Sequence, residues 1–212
     1  ATRDIKAAEE ITKDDFEFIE VNSTLLKKAS VITQANLLTG YYVNVGTSIP
    51  KGGMFYTSQV VEKKELPNSI LDEIPNGYTL YQLKVSNETT FANSIYPGDR
   101  IDLYLNTKQD GKIVFGKLIE SIEVLAVRDS SGQNVFDSSS TRTPAWLLFA
   151  VPSDPNSDVG DLHSLLMDIE QISGMSLRPV PRNKTYTTDA GATRVANDTL
   201  LAIVQQHIML VS

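Results

Sequence analysis

The sequence predicts a mainly β (α+β) fold, built as two successive β-rich parts with one or two helices. Three observations predict it. Apolar residues recur mostly with period two, as in Tyr81-Gln82-Leu83-Lys84-Val85 and from Ile101 to Leu105, which sets alternate side chains on opposite faces of a strand. Asn76-Gly77, Pro97-Gly98 and Asp110-Gly111 separate such runs, and these are the dipeptides that tight turns and hairpins require. One stretch clearly keeps a helical period, with Leu162, Leu165, Leu166 and Ile169 at i, i+3, i+4 and i+7.

The 212 residues suffice for one large domain or two small ones. Hydrophobic residues make up 41% and charged residues 21%, enough apolar material to bury a core. The net charge of −7, with no Lys/Arg cluster beyond the pairs Lys27-Lys28 and Lys63-Lys64, argues against a nucleic-acid surface. The chain has no cysteine, which excludes disulfides, thiolate metal sites and a cysteine nucleophile. No apolar run approaches the ~18 residues of a bilayer span. The chain starts at Ala1 without an initiator methionine or signal peptide and reads as a soluble fragment of something longer.

In chain order, the first segment repeats itself. Ile5, Ala8, Ile11 and Phe16 recur at one constant interval as Ile49, Gly52, Phe55 and Val60. Each copy reads as a strand end, a tight turn and a short strand or helical turn, and two such copies mark halves of one compact β unit. Phe16 to Val21 reads as a strand. Leu37 to Gly40 reads as a turn into a further strand with Tyr41, Tyr42, Val43 and Val45. Leu66-Pro67-Asn68 is the expected boundary, because Pro67, Pro75 and Asn76-Gly77 interrupt regular structure.

Beyond it, Tyr81, Leu83 and Val85 form one face of a half-buried strand. Pro97-Gly98 turns the chain into a strand with Ile101, Leu103 and Leu105 facing the core and Asp102, Tyr104 and Asn106 on the other side. Asp99 and Arg100 stand where turn becomes strand, and charge-assisted hydrogen bonds from them would anchor the turn. Gln109 to Lys112 makes a hairpin into a strand over Ile113–Val127. Asp129 to Thr143 is polar and reads as a long flexible loop. Ala145 to Val151 reads as a strand buried on both faces, with Trp146 packed in the core. The helix around Leu162–Ile169 is capped by Ser157 or Asp158 and ended by Gly174. Ser176 to Val180 returns as a strand. After a polar stretch, Asn197 or Asp198 caps a last helix through Leu201, Val204 and Ile208, with a strand over the same apolar run as the alternative.

The candidates for chemistry are thin. Asp154, Asn156 and Asp158 open like a calcium loop, but Val159 stands where glycine must bend the chain and Leu165 where a bidentate Glu belongs. His163 and His207 have no His or Cys companion nearby. The acid pairs Asp14-Asp15 and Asp72-Glu73 read as solvated. No nucleophile elbow, phosphate loop or dinucleotide fingerprint is present. The expectation is no catalytic residue, no cofactor and no metal.

The stretch Pro97-Gly98-Asp99-Arg100-Ile101-Asp102-Leu103 resembles the PGDRVDV signature of the CpaB/RcpC family of Flp (Tad) pilus assembly proteins. Glu123–Val127 resembles that family's VLAV strand, and the strand–helix–strand ending in Leu177-Arg178-Pro179-Val180 stands where the family has one. Residues 4–66 resemble the SAF domain, a β-clip module, in its paired I-x-x-G segments and central L-x-G, with Ala8 in place of the first glycine. The resemblance implies a SAF-like domain over 1–66, a CpaB/RcpC-like β-rich domain over 67–182 and a helical C-terminal extension over 183–212. It implies a non-enzymatic, extracytoplasmic cell-envelope protein that contacts other pilus-assembly components. Its membrane attachment would come only through an N-terminal anchor outside this chain, and cell-wall carbohydrate is a further possible partner. Pro97, Gly98, Asp99, Arg100 and Asp102 would be its motif residues, structural or in partner contact. A carbohydrate-associated SAF module of the sialic acid synthase kind and a flagellar P-ring chaperone are the alternatives.

Overall fold

The computed structural model describes residues 1–22, 30–67, 69–136, 142–183 and 193–208. The chain is mainly β and divides into two compact units, Ala1–Asp72 and Glu73–Ser212. The sequence places the boundary at Leu66-Pro67. The chain instead stays with the first unit to Asp72, past a 3₁₀ turn at Lys63–Glu65 and into one at Ser69–Glu73, and Lys63 Nζ lies 3.0 Å from Asp72.

The first unit has little regular structure. Strand β1 (Tyr42–Val43) pairs antiparallel with β2 (Val60–Val61), and isolated bridges join Ile5 to Ile49, Glu10 to Tyr42 and Val31 to Tyr56. Its core is Ile5, Ile11, Leu38, Val43, Ile49 and Phe55. The duplication seen in the sequence is a structural one. Ile5 and Ile49 exchange both backbone hydrogen bonds at 2.9 Å, and several bonds around that pair have counterparts. Ala8 N donates to Val43 O as Gly52 N donates to Ala1 O, both at 2.8 Å. Thr2 N reaches Asp15 O as Asn44 N reaches Gln59 O. Each copy then makes a 3₁₀ turn, Lys13–Asp15 or Thr57–Gln59, whose last side chain accepts from the backbone N–H that precedes it.

Ala8 and Gly52 occupy the same turn position, and both have positive φ, 59° and 78°. The alanine therefore does not change the turn; it makes it strained, since a Cβ is disfavoured in the left-handed region. Phe16 to Val21 forms no strand. It leaves the 3₁₀ turn extended at Phe16 (φ −144°, ψ 156°) but pairs with nothing among the described residues. Strand propensity there finds no partner edge.

The second unit is an antiparallel sheet ordered β3-β6-β5-β4-β7, where β3 is Tyr78–Lys84, β4 Arg100–Gln109, β5 Lys112–Arg128, β6 Trp146–Pro152 and β7 Ser176–Pro181. A short β8 (Arg194–Val195) pairs with β5. Helix α1 (Leu162–Gln171) packs on β6, and α2 (Asp198–Gln205) on β5. Gly116 lets α2 approach, since a Cβ there would stand 3.0 Å from Leu200 Cδ1. The Asp110-Gly111 hairpin has both residues at positive φ, 50° and 75°, as its type demands. Pro179 and Pro181 lie on β7, an edge of the sheet, where a missing N–H costs no ladder bond and discourages strand addition.

Four expectations need correcting here. Helix α1 is capped by Asp161, which accepts from Ser164 N at 2.9 Å, not by Ser157 or Asp158. Asp129 to Phe136 is ordered rather than loose. Asp129 N and Val135 N donate to Gln133 O and Val127 O, which buries Val135, while 137–141 lie outside the described residues. Trp146 is only half-buried. Residues 193–208 are no separate extension: β8 joins the sheet, and Leu200, Ile203 and Val204 of α2 enter its core. Asn197 caps α2 as expected, accepting from Thr199 N and Leu200 N.

The strained turn gives a paired prediction. Ala8→Gly should raise stability by about 1 kcal/mol, and Gly52→Ala should lower it by about the same. Chemical denaturation of the two variants checks this; both changes in the same direction would remove the strain account.

Candidate functional site

Pro97 and Gly98 are the central residues of a turn in which Asp99 N donates to Tyr96 O at 3.0 Å, and Gly98 has φ 86°. That is a type II turn, for which proline and then glycine are the preferred pair. Asp99 closes it from the side, its Oδ2 accepting from Tyr96 N at 2.9 Å. The turn is bonded to β5: Gly98 N donates to Val124 O at 2.7 Å and Val124 N to Asp99 O at 2.9 Å. Tyr96 stacks on Phe136 with ring centroids 4.3 Å apart.

The next residues lead to a denser centre. Ile101, Leu103 and Leu105 are fully buried on the core face, and Asp102 is 7% exposed on the other. Opposite Asp102, β5 carries an extra residue, so that Glu120 and Ser121 span the interval between Ile119 and Ile122. This is a β-bulge, and it holds Ser121 at φ 64°. Ser121 N and Arg182 Nε both donate to Asp102 Oδ1, at 3.0 and 2.6 Å. Arg182 also reaches Glu120 at 3.0 Å, Arg194 reaches Glu120 at 2.8 Å, and Lys117 lies 3.2 Å from Glu120 and 3.4 Å from Asp102. Ser121 O accepts from Thr193 Oγ1 at 3.0 Å and from Arg100 at 3.1 Å; Arg100 also meets Glu123 at 3.3 Å.

The electrostatics of this cluster move its groups away from neutrality. Arg194, and then Lys117, hold the Glu120 carboxyl below the usual range against the opposing effect of burial. Burial pulls the Lys117 amine down, but Glu120 and Asp102 outweigh it and leave it raised. A proton-transfer group works best when it titrates near the operating pH. This is an interlocked set of ion pairs joining β4, β5, β7 and β8, with the chemistry of a structural clamp.

Of the five motif residues, the structure brings Arg100 and Asp102 onto the bulge and places Pro97, Gly98 and Asp99 in the adjoining turn. Glu120, Ser121, Arg182, Thr193 and Arg194 were not singled out from the sequence. A signal existed for the bulge: Leu118-Ile119 and Ser121-Ile122 break the period of two, and all four are buried.

The remaining candidates separate. Asp154 Oδ1 accepts from Asn156 N at 2.9 Å in a local turn, and no His, Cys, Asp or Glu cluster fit for a metal occurs among the described residues. His163 stands edge-on to Tyr81, whose hydroxyl donates to Glu170; His207 Nδ1 lies 2.8 Å from Ile203 O. The Asp14-Asp15 pair is not simply solvated, since Asp15 is 2% exposed and accepts from Arg3 and Thr12. Burial alone would raise its carboxyl, but the Thr12 donors and Arg3 lower it.

Two apolar grooves stand open. One of about 400 Å³ lies in the first unit beside Phe16, Phe18, Val31 and Phe55. The other, about 690 Å³, lies between α1 and α2 over Leu162, Leu165 and Leu201. Comparison with protein-family models, curated proteins and solved structures finds no match for the chain.

Two measurements test the clamp. Asp102→Ala should destabilise by about 3 kcal/mol, because it leaves Ser121 N and Arg182 Nε, both in a nearly closed site, without the carboxylate oxygen they share. Arg100→Ala should cost only about 1 kcal/mol, since Thr193 still satisfies Ser121 O. Equal costs in urea denaturation would place the clamp at Arg100 instead.

Acid should unfold the protein through Glu120 and Asp15. Both carboxyls are depressed in the folded chain, so their stabilisation is complete above the usual carboxylate range and is lost as pH falls through the depressed values. The thermal midpoint should hold from neutrality to about pH 5 and drop steeply below about pH 4. A midpoint that rises on acidification would contradict this.

Proposed function

We propose that the protein is a non-enzymatic component of a Flp/Tad-type pilus assembly in the cell envelope, working through contacts with other proteins. The observation that carries this reading is how the PGDRIDL stretch is used. Its turn, its alternation and its charges are committed to the strand pairing and ion pairs of a β-rich unit, as a structural signature would be. The proposed likeness to CpaB/RcpC proteins adds support through the order of elements, since a strand, α1 and the returning β7 follow the PGDR strand. The carboxylates of the clamp are paired with cations, and Glu120 and Lys117 are displaced from neutral pKa values in opposite directions. That arrangement favours scaffolding over acid–base catalysis.

In this reading the first unit is a SAF-like module, the chain works outside the cytoplasm, and a membrane anchor belongs to a neighbouring segment of the same protein. The test is genetic. Deleting the gene in its own cell should abolish surface filaments while leaving pilin abundance unchanged, and the wild-type gene should restore them. Unchanged piliation, or a protein confined to the cytoplasm, would overturn the assignment.

A further inference from the structure

The first unit holds a segment whose sequence and structure disagree. Phe16-Glu17-Phe18-Ile19-Glu20-Val21 has the aromatic and β-branched composition of a strand, yet no backbone hydrogen bond involves these six residues among the described residues. Phe18 and Ile19 are 66% and 65% exposed, the most open large apolar side chains of this unit among the described residues. Backbone donors and acceptors left in this state offer an edge on which another strand can form. Beside the segment lies the 400 Å³ groove, whose apolar wall includes Phe16, Val31 and Phe55. Phe16 and Phe18 meet edge to face with centroids 5.9 Å apart, as side chains two residues apart on one strand face can.

Charge selects the occupant. Glu17 and Glu20 are both exposed, and neither forms an ion pair among the described residues. A second copy is disfavoured: the symmetric antiparallel register sets Glu17 opposite Glu20, and the in-register parallel one sets each against itself. A strand with Lys or Arg opposite the two acids and apolar residues opposite Phe16 and Phe18 is matched in both respects. We propose that Phe16–Val21 is a docking strand that takes an extended segment of a partner protein, apolar with two basic residues three apart, as an added β-strand over this groove.

The inference rests on the binding-protein reading only in taking a protein as the occupant. Its test uses the full chain and two short peptides, TVKVIKVT and its acidic twin TVEVIEVT, followed by amide chemical shifts. The basic peptide should shift the amides of residues 16–21 and bind about tenfold more tightly than the acidic one. The double variant Glu17→Lys/Glu20→Lys should reverse that preference and melt like the wild type, because both side chains are exposed. A basic peptide N-methylated on the amides facing the protein should not bind, since the added strand needs those donors. No shift at 16–21, equal binding of the methylated peptide, or a preference that survives charge reversal would each overturn the docking strand. If the peptides fail while gene deletion still abolishes filaments, this inference falls and the assembly reading stands. If they bind while piliation is unaffected, the docking strand stands without it.

Discussion

The second unit depends on one buried carboxylate. Taking Asp102 out of water costs several kcal/mol unless donors replace the lost hydration. Two do so directly, Ser121 N and Arg182 Nε. Each imposes a condition on the backbone. Ser121 can present its N–H only because the bulge turns β5 at that point, at the expense of a non-glycine residue with positive φ. Arg182 can reach only because β7 runs antiparallel to β4 and ends opposite Ile101. Thr193 and Arg194 then close the cluster from the strand that follows. Segments far apart in sequence are thus tied to one point of β5, which fixes both ends of the stretch that carries α1 and the start of the stretch that leads into α2.

The first unit solves a different problem. With two-residue strands and isolated bridges it cannot rely on long ladders. Repetition about the Ile5–Ile49 pair makes several of its bonds occur twice, and the two copies share one cluster of six buried side chains with Leu38 and Val43 between them. The arrangement tolerates Ala8 in a left-handed position because the hydrogen bond from Ala8 N to Val43 O and the neighbouring Glu9–Lys6 turn hold the backbone on both sides.

How much of this was legible follows from how local each cause is. The Pro97-Gly98 and Asp110-Gly111 turns, the faces of β3 and β4 and the buried face of α1 were readable, because each is set within about ten residues by dihedral preference or period. The duplication was readable from Ile5, Ala8 and Ile11 against Ile49, Gly52 and Phe55, because a repeat compares the chain with itself. The clamp was not. Arg182 and Glu120 lie 62 residues apart, and their meeting depends on the strand order. The unpaired state of Phe16–Val21 was equally invisible, because propensity reports how well a segment would sit in a sheet and not whether an edge is present to receive it. Asp161 displaced the expected caps Ser157 and Asp158 for a similar reason: the helix starts where Leu162 can reach the core.

In PGDRIDL the glycine is required by a positive φ, the proline by the turn, the aspartate at 99 by the Tyr96 N–H, and the aspartate at 102 by the bulge. Each is explained by a contact inside the chain, so the stretch identifies an architecture more directly than a ligand. A binding surface on this chain would be one that the fold does not consume. The exposed Glu17, Phe18, Ile19 and Glu20 are such a surface, while Phe16 anchors the segment against the core of its own unit.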